Sequence, residues 1–304
     1  MIRQLTDALK EKNIPYRTGV LTATLCSFRI GGVAALLIEP QCPGELVESV
    51  ALCQRLNCPY YLVGRGSHLL FPDGAISTVL IRTAALQAIR ETAHGLEAAC
   101  GASLARLSYL AATQGMGGLT FAFGIPGTLG GGVYMNAGAH GGALSDVVRW
   151  VKYYDPEQDE IKTVFKNELS FSYRYSTFQS EKRVILSAEL MLQRGHDPQA
   201  LLQKMRKQSC ARKTSQPLEL PSAGSCFKRP SEGVPIAKMI DELGLKGLRI
   251  GGAAISQKHA GFVVNLGGAT AADVKSLIKE IQKILQKERG ITPQPELQFV
   301  PSGT

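Results

Sequence analysis

The chain holds 304 residues, 44% of them hydrophobic and 19% charged, which suits two or three domains with buried cores and excludes disorder on composition. A formal net charge of +9 favours anionic partners such as phosphorylated small molecules, while the sparse aromatic residues, 7%, are not interleaved with basic ones as a nucleic-acid surface requires. Seven cysteines without a C-x-x-C pair exclude metal-ligand spacing and a secreted disulfide framework, so no metal is expected.

Met1–Asp7 lacks the apolar core of a secretory signal, and no run of about 18 apolar residues marks a membrane span, so a soluble protein of the reducing cytoplasm is expected. Ala35–Ile38 is a short apolar run stopped by Pro40 and reads as a strand. Glu45–Leu56 places Leu46, Val47, Val50, Ala51 and Leu56 at helical spacing. Tyr60–Val63 is a β-prone run that opens into Gly64-Arg65-Gly66-Ser67, and Val79–Ile81 is a further strand. A helix is predicted over Ser103–Gln114, then a long Gly-rich loop over Gly115–Gly142. Trp150–Tyr154, closed by Asp155-Pro156, and Val184–Leu192 read as strands. His196-Asp197-Pro198 marks a boundary before a basic amphipathic helix, Pro198–Cys210, and the basic residues of Lys204–Lys213 read as a solvated helix face. The clearest helix is Ala272–Arg289. Val274, Leu277, Ile278, Ile281, Ile284 and Leu285 form its apolar face, and Gly290 stops it.

Two loops carry the functional signal. In Val63–Leu70, glycines let successive backbone N–H groups curve around an anion, and Ser67 adds a hydroxyl; a tight turn between strands is the competing reading. In Phe123–Gly132, continuing through Tyr134–Gly142, side-chain volume is so low that a flat ring lying against backbone, or a wide surface loop, would explain it.

Ordered blocks then carry a family resemblance. Ser27-Phe28-Arg29-Ile30-Gly31-Gly32, Gly64–Ser67, Gly124–Gly131 and Asn136-Ala137-Gly138-Ala139 come first. Tyr173-Arg174-x-Ser176-x-Phe178, Pro221–Pro230, Gly251–Ala253, Lys258–Phe262 and Pro295-Glu296 follow. Together they resemble the UDP-N-acetylenolpyruvoylglucosamine reductases from about Leu21 to Glu296, in the compact form that lacks an extra tyrosine-bearing loop. The resemblance implies an α+β chain: a two-part FAD-binding region of the vanillyl-alcohol-oxidase (PCMH) type, over 1–84 and 85–197, and a C-terminal α+β substrate-binding domain over 198–304. It implies that Gly64, Arg65, Gly66, Ser67, His68 and Leu69 line the FAD pyrophosphate. Pro126, Gly127, Thr128, Gly130, Gly131, Asn136, Ala137 and Gly138 would lie along the flavin. NADPH is the implied hydride donor, UDP-N-acetylglucosamine enolpyruvate the substrate, and a monomer the expected state.

The implied catalytic residues are Arg174, Ser225 and Glu296, with Tyr173, Lys228 and Arg229 on the substrate. A guanidinium suits the enolate-like charge that follows hydride transfer, because it stays charged and presents a fork of donors. A carboxyl group there is useful if protonated or if it orients its neighbours, and Ser225 would supply the α-carbon proton. His68 departs from the asparagine usual at its position. That leaves open a covalent histidyl link to flavin, against the expected non-covalent FAD. The alternative function is an FAD-dependent oxidase of the same fold, against which the Ser225 and Glu296 blocks weigh.

Overall fold

The structure is a computed structural model that describes residues 1–230 and 233–303. Two compact units, each interleaved from distant segments, make up the chain. The first comprises Met1–Arg17, Leu37–Arg65 and Val79–Arg212, and the second Thr18–Leu36, Gly66–Thr78 and Lys213–Thr304.

In the first unit a parallel ladder joins Leu37 and Ile38 to Leu80 and Ile81, and Tyr60–Val63 to Val79–Arg82. Leu37, Ile38 and Val79–Ile81 are buried and apolar, as central parallel strands are, while Tyr60–Leu62 of the flanking strand are half-buried. Helix Pro43–Arg55 packs on them and begins with proline at its first turn, where the missing N–H costs nothing. Glu45 reaches back to accept from the Gln41 N–H at 2.8 Å. An N-terminal helix, Ile2–Glu11, escaped the sequence reading because only Leu5 and Leu9 of its short span are buried.

A five-stranded antiparallel sheet follows. Its order is Glu160–Phe165, Val148–Asp155, Val184–Met191, Gly95–Ala99 and Ile89–Thr92. Helix Leu104–Thr113 packs on this sheet, capped by the Ser103 hydroxyl. The basic helix runs further than the sequence suggested, over Pro198–Ser215, started by Asp197 accepting from the Gln199 and Ala200 N–H groups. Leu201 and Met205 seat it against Ala112, while Lys204, Arg206 and Lys207 are exposed.

The predicted loop Gly115–Gly142 contains a helix, Leu129–Tyr134, with three consecutive glycines. Thr128 caps it, its hydroxyl accepting from the Gly131 N–H at 3.3 Å. Close packing explains the composition: a Cβ at Gly130 would lie 2.9 Å from Cys100 Cβ, and one at Gly132 3.0 Å from Leu104 Cδ1. Here tertiary packing overrides the poor helix propensity of glycine.

In the second unit Val33 and Ala34 pair in parallel with Ala75 and Ile76, and Gln298–Phe299 with Leu69–Leu70. A four-stranded antiparallel sheet has the order Ser222–Ser225, Phe262–Asn265, Ala253–Ile255 and Arg249–Ile250. Helix Ala271–Arg289 covers its last two strands. Val274, Leu277, Ile278, Ile281 and Leu285 are buried, each side chain contributing about 1.5–3 kcal/mol. Gly290 ends the helix in the left-handed region at φ +68°.

The start of this helix is satisfied from two directions. Thr270 and Asp273 form a reciprocal capping box at 3.0 Å in each direction. Asp73, far away in sequence, accepts from the Ala271 and Ala272 N–H groups at 2.8 and 3.0 Å. The N–H groups of Thr270 and Gly252 hold the Asp273 carboxyl below the usual carboxylate range. Among the described residues no helix is long and apolar enough to cross a membrane.

Asp73→Ala is expected to destabilise the protein by about 1–2 kcal/mol in urea unfolding, since it strands two helix N–H groups. Asp273, with its lowered folded-state pKa, stabilises above its unfolded value and loses that contribution as the pH falls. Asp273→Asn should therefore flatten the acid limb of a stability–pH curve, and an unchanged limb would show that the box is not the cause.

Candidate active site

The first unit carries the Gly-rich face and Arg174. Gly64 lies so close to Thr128 that a Cβ there would stand 2.6 Å from the hydroxyl oxygen. Gly124, Ile125 and Gly127 are half-buried, and Pro126 and Gly131 exposed, so the segment shows solvent a face with little side-chain volume. The N–H groups of Leu129 and Gly130 donate to Ala102 O and Cys100 O, both at 2.8 Å, so the start of the short helix is turned into the protein. The N–H groups of Gly127 and Thr128, by contrast, have no acceptor among the described residues. Arg212, assigned from sequence to a solvated face, is instead half-buried beside this segment. A Cβ at Gly124 would lie 3.4 Å from its Cδ. Burial pulls its pKa below the ordinary arginine value.

Asn136 is buried, at 6% exposure, with φ +42°. Its Oδ1 accepts from the Ser145 N–H at 3.0 Å and its Nδ2 donates to Ser172 O at 2.9 Å. That second bond ties the Gly-rich segment to the hairpin Phe171–Ser172/Tyr175–Ser176, whose turn is Tyr173 and Arg174. Ser176 Oγ and Gln179 Nε2 both donate to Tyr134 O at 2.8 Å, and Gln179 Nε2 also donates to Arg174 O at 2.9 Å.

Arg174 takes φ +56°, a conformation that costs a non-glycine residue about 1 kcal/mol and needs such bracing. The result is directional: Arg174 Nη2 donates to Gly138 O at 3.2 Å, which sets the guanidinium beside Asn136–Gly138. Its Cζ lies 5.0 Å from the Tyr173 ring centroid, and Tyr173 is itself 48% exposed.

The second unit carries the rest. Gly66, at φ +63°, passes so near Leu25 that a Cβ would fall 2.0 Å from its carbonyl oxygen. Ser27 donates its N–H to Gly66 O at 3.2 Å and its hydroxyl to Ser222 O at 2.7 Å, which gives the Ser27–Gly32 block its role in bracing the loop. Asn265 Nδ2 donates to Phe28 O at 3.2 Å and holds the same block. Along the loop, the backbone N–H groups of Arg65, Gly66, Ser67 and His68 meet no acceptor among the described residues. Successive unsatisfied N–H groups on a Gly-containing turn make an anion-binding nest.

Ser225 ends the strand Ser222–Ser225, just after Gly224 at φ +79° and a break in register. Its Oγ donates to Phe227 O at 3.3 Å. The next segment pairs with the C-terminal block: the Glu296 N–H donates to Cys226 O at 2.7 Å and the Lys228 N–H to Gln294 O at 2.9 Å. The segment that follows Ser225 thus pairs, through the isolated bridge between Phe227 and Pro295, with the segment that carries Glu296. Glu296 is 6% exposed, and the Cys226 thiol beneath is held neutral by burial, its pKa pushed up to about 12. Lys228 is half-buried and Arg229 exposed.

His68 turns towards this pair. Its Nδ1 lies 2.9 Å from Ala223 O, its Nε2 2.7 Å from Glu296 O, and the same Nε2 3.8 Å from Glu296 Oε1. No sequence signal pointed to this arrangement, because residues 68, 223 and 296 meet only through the fold.

A family model described as "FAD binding domain" matches residues 34–163, and one described as "UDP-N-acetylenolpyruvoylglucosamine reductase, C-terminal domain" matches residues 216–300. The UDP-N-acetylenolpyruvoylglucosamine reductase of Caldanaerobacter subterraneus subsp. tengcongensis is 38% identical over 300 residues, covering 99% of this chain and 98% of that protein. That of Pseudothermotoga lettingae is 41% identical over 274 residues, covering 90% and 93%. A crystal structure of the Thermus caldophilus UDP-N-acetylenolpyruvylglucosamine reductase superposes with a TM-score of 0.78 at 31% identity, covering 95% of this chain and 99% of that one. The α+β class, with an FAD-binding region ahead of a C-terminal reductase domain, is the architecture expected from sequence.

Both ring nitrogens of His68 already face carbonyl oxygens, which leaves neither for a bond to flavin. Acid precipitation of the yellow protein should therefore leave a colourless pellet under a yellow supernatant, and a coloured, washed pellet would contradict this geometry.

Proposed function

The chain belongs to the UDP-N-acetylenolpyruvoylglucosamine reductase family, and from that premise we propose that it reduces UDP-N-acetylglucosamine enolpyruvate to UDP-N-acetylmuramate for peptidoglycan. The residues fit FAD on two observations. The N–H groups of Arg65–His68 await an anion such as a pyrophosphate, and the Gly124–Gly131 face is open and low in volume. In this reading Gly64, Arg65, Gly66, Ser67, His68 and Leu69 hold the pyrophosphate, His68 through its backbone. Pro126, Gly127, Thr128, Gly130, Gly131, Asn136, Ala137 and Gly138 lie along the ring, and half-buried Arg212 favours a negatively charged ligand beside Gly124. Segments 1–84 and 85–197 form the two parts of the cofactor region, and 198–304 binds the sugar nucleotide in a cytoplasmic monomer.

FAD held by these residues would supply hydride transfer between NADPH and the terminal vinyl carbon of the enol ether. The protein must then handle negative charge at the α-carbon and its carboxylate. The Arg174 guanidinium, fixed on Gly138 O, supplies a permanent cation where that charge develops. Ser225 Oγ gives its proton to the α-carbon, and buried Glu296, whose N–H donates to the carbonyl of Cys226 next to Ser225, orients the reacting group. Tyr173, Lys228 and Arg229 contact the substrate, the two cations suiting its diphosphate. The observation that carries the reading is the Arg174–Gly138 contact, because it joins the charge-stabilising residue to the segment assigned to the flavin. An oxidase of the same fold would have no use for Ser225 and Glu296.

Anaerobic reduction of the yellow protein by NADPH, followed by the UDP-enolpyruvyl sugar, tests the proposal. The sugar should restore the oxidised spectrum; fast reoxidation by air alone, with no effect of the sugar, would favour the oxidase instead. Ser225→Ala is expected to keep the reductive half-reaction nearly intact and to slow reoxidation by the sugar about 10³-fold or more. Equal loss in both halves would count against Ser225 as the proton donor.

A further inference from the structure

We propose that His68 is a positioning residue for the proton-transfer half of the reaction, its ring clamping the strand that ends at Ser225 to the segment that carries Glu296. The proposal rests on the roles assigned to those two residues under Proposed function. Its physical basis is independent of them and lies wholly within the second unit.

The ring bridges two backbone carbonyls. Nδ1 holds Ala223 O, two residues before Ser225, and Nε2 holds Glu296 O. The strand at Ala223 is where bracing is needed. Gly224 takes φ +79°, and the ladder to Phe262–Asn265 loses register between Ser222 and Ser225. The sheet therefore leaves Ala223 and Gly224 without regular pairing on that side, between the Ser222–Val264 and Ser225–Phe262 pairs. His68 itself is anchored, since its own carbonyl accepts from the Gln298 N–H at 3.1 Å and the adjacent Leu69–Leu70 pairs with Gln298–Phe299. The imidazole thus spans two backbone segments from a third.

Both acceptors are carbonyl oxygens, and that sets a chemical condition. A neutral imidazole has one N–H donor and one lone pair, so it can satisfy only one of the two carbonyls and turns a lone pair on the other. The imidazolium donates to both, with stronger, charge-assisted bonds. Glu296 Oε1 lies 3.8 Å from Nε2, and on the Ala223 strand the neighbouring polar group is the Ser225 hydroxyl. A ring that donates from both nitrogens holds both carbonyls, and an uncharged side chain with one donor in reach holds one.

Three substitutions separate a clamp from a space-filler. His68→Phe keeps an aromatic ring and removes both contacts. His68→Asn places an amide near the Nδ1 position, and His68→Gln places one near the Nε2 position, so each retains one contact without a titrating group. With flavin content and thermal midpoint measured for each, rapid-mixing kinetics should show NADPH reduction within about twofold of the parent in all three. Reoxidation by the UDP-enolpyruvyl sugar should slow about 30–100-fold in His68→Phe and about 3–10-fold in each amide variant.

Equal slowing of all three variants, or equal loss in both half-reactions, would overturn the clamp. If His68→Phe does not fold, the two amide variants decide the matter alone, and loss in the reductive half as large as in the oxidative half would overturn it. Failure of the parent itself to be reoxidised by the sugar would instead overturn the function proposed above, so the two failures are distinguishable.

Discussion

Backbone running against its neighbours with no room for a side chain is the constraint on which the site depends. Gly66 passes the Leu25 carbonyl, Gly64 passes the Thr128 hydroxyl and Gly130 passes Cys100, each where a Cβ would collide. The close approach at Gly66 helps to hold the Arg65–His68 turn, with its N–H groups unsatisfied. That at Gly130 seats a three-glycine helix and leaves the low-volume face Gly124–Gly131 beside it. Glycine loses more conformational entropy on folding than any other residue, so neither segment would hold its shape without packing from elsewhere. The packing comes from Ser27, Thr128 and Asn136, polar residues that bond to backbone rather than to one another.

Each unit then adds chemistry to that scaffold. In the first, Gln179 and Asn136 fasten a two-residue turn to the Gly-rich segment, so that Arg174 reaches Gly138 O with a backbone it would not adopt unaided. In the second, the segment that follows Ser225 pairs with the segment that carries Glu296, and His68 touches both that segment and the strand that ends at Ser225.

Much of the fold was legible in sequence. The helix predicted over Ala272–Arg289 spans Ala271–Arg289, and the one predicted over Ser103–Gln114 is Leu104–Thr113 with those two residues as its caps. Amphipathic spacing and capping chemistry act locally, so they can be read locally. The Gly124–Gly132 segment was read as loop because the helix Leu129–Tyr134 within it relies on Cys100 O and Ala102 O in addition to its Thr128 cap. Arg212 was misjudged as solvated because its burial depends on Gly124, far away along the chain.

By itself the sequence determined the kind of protein: ordered Gly-rich and Tyr-Arg-x-Ser, Ala-Gly-Ser and Pro-Glu blocks placed it among the UDP-N-acetylenolpyruvoylglucosamine reductases, with the α+β architecture they share. It also determined that residue 68 in the first Gly-rich loop is a histidine. Only the tertiary structure decided which way that ring faces and that it bridges the carbonyls of Ala223 and Glu296. A side chain's direction is set by whatever acceptors the fold brings within hydrogen-bonding distance, and these lie 155 and 228 residues away along the chain.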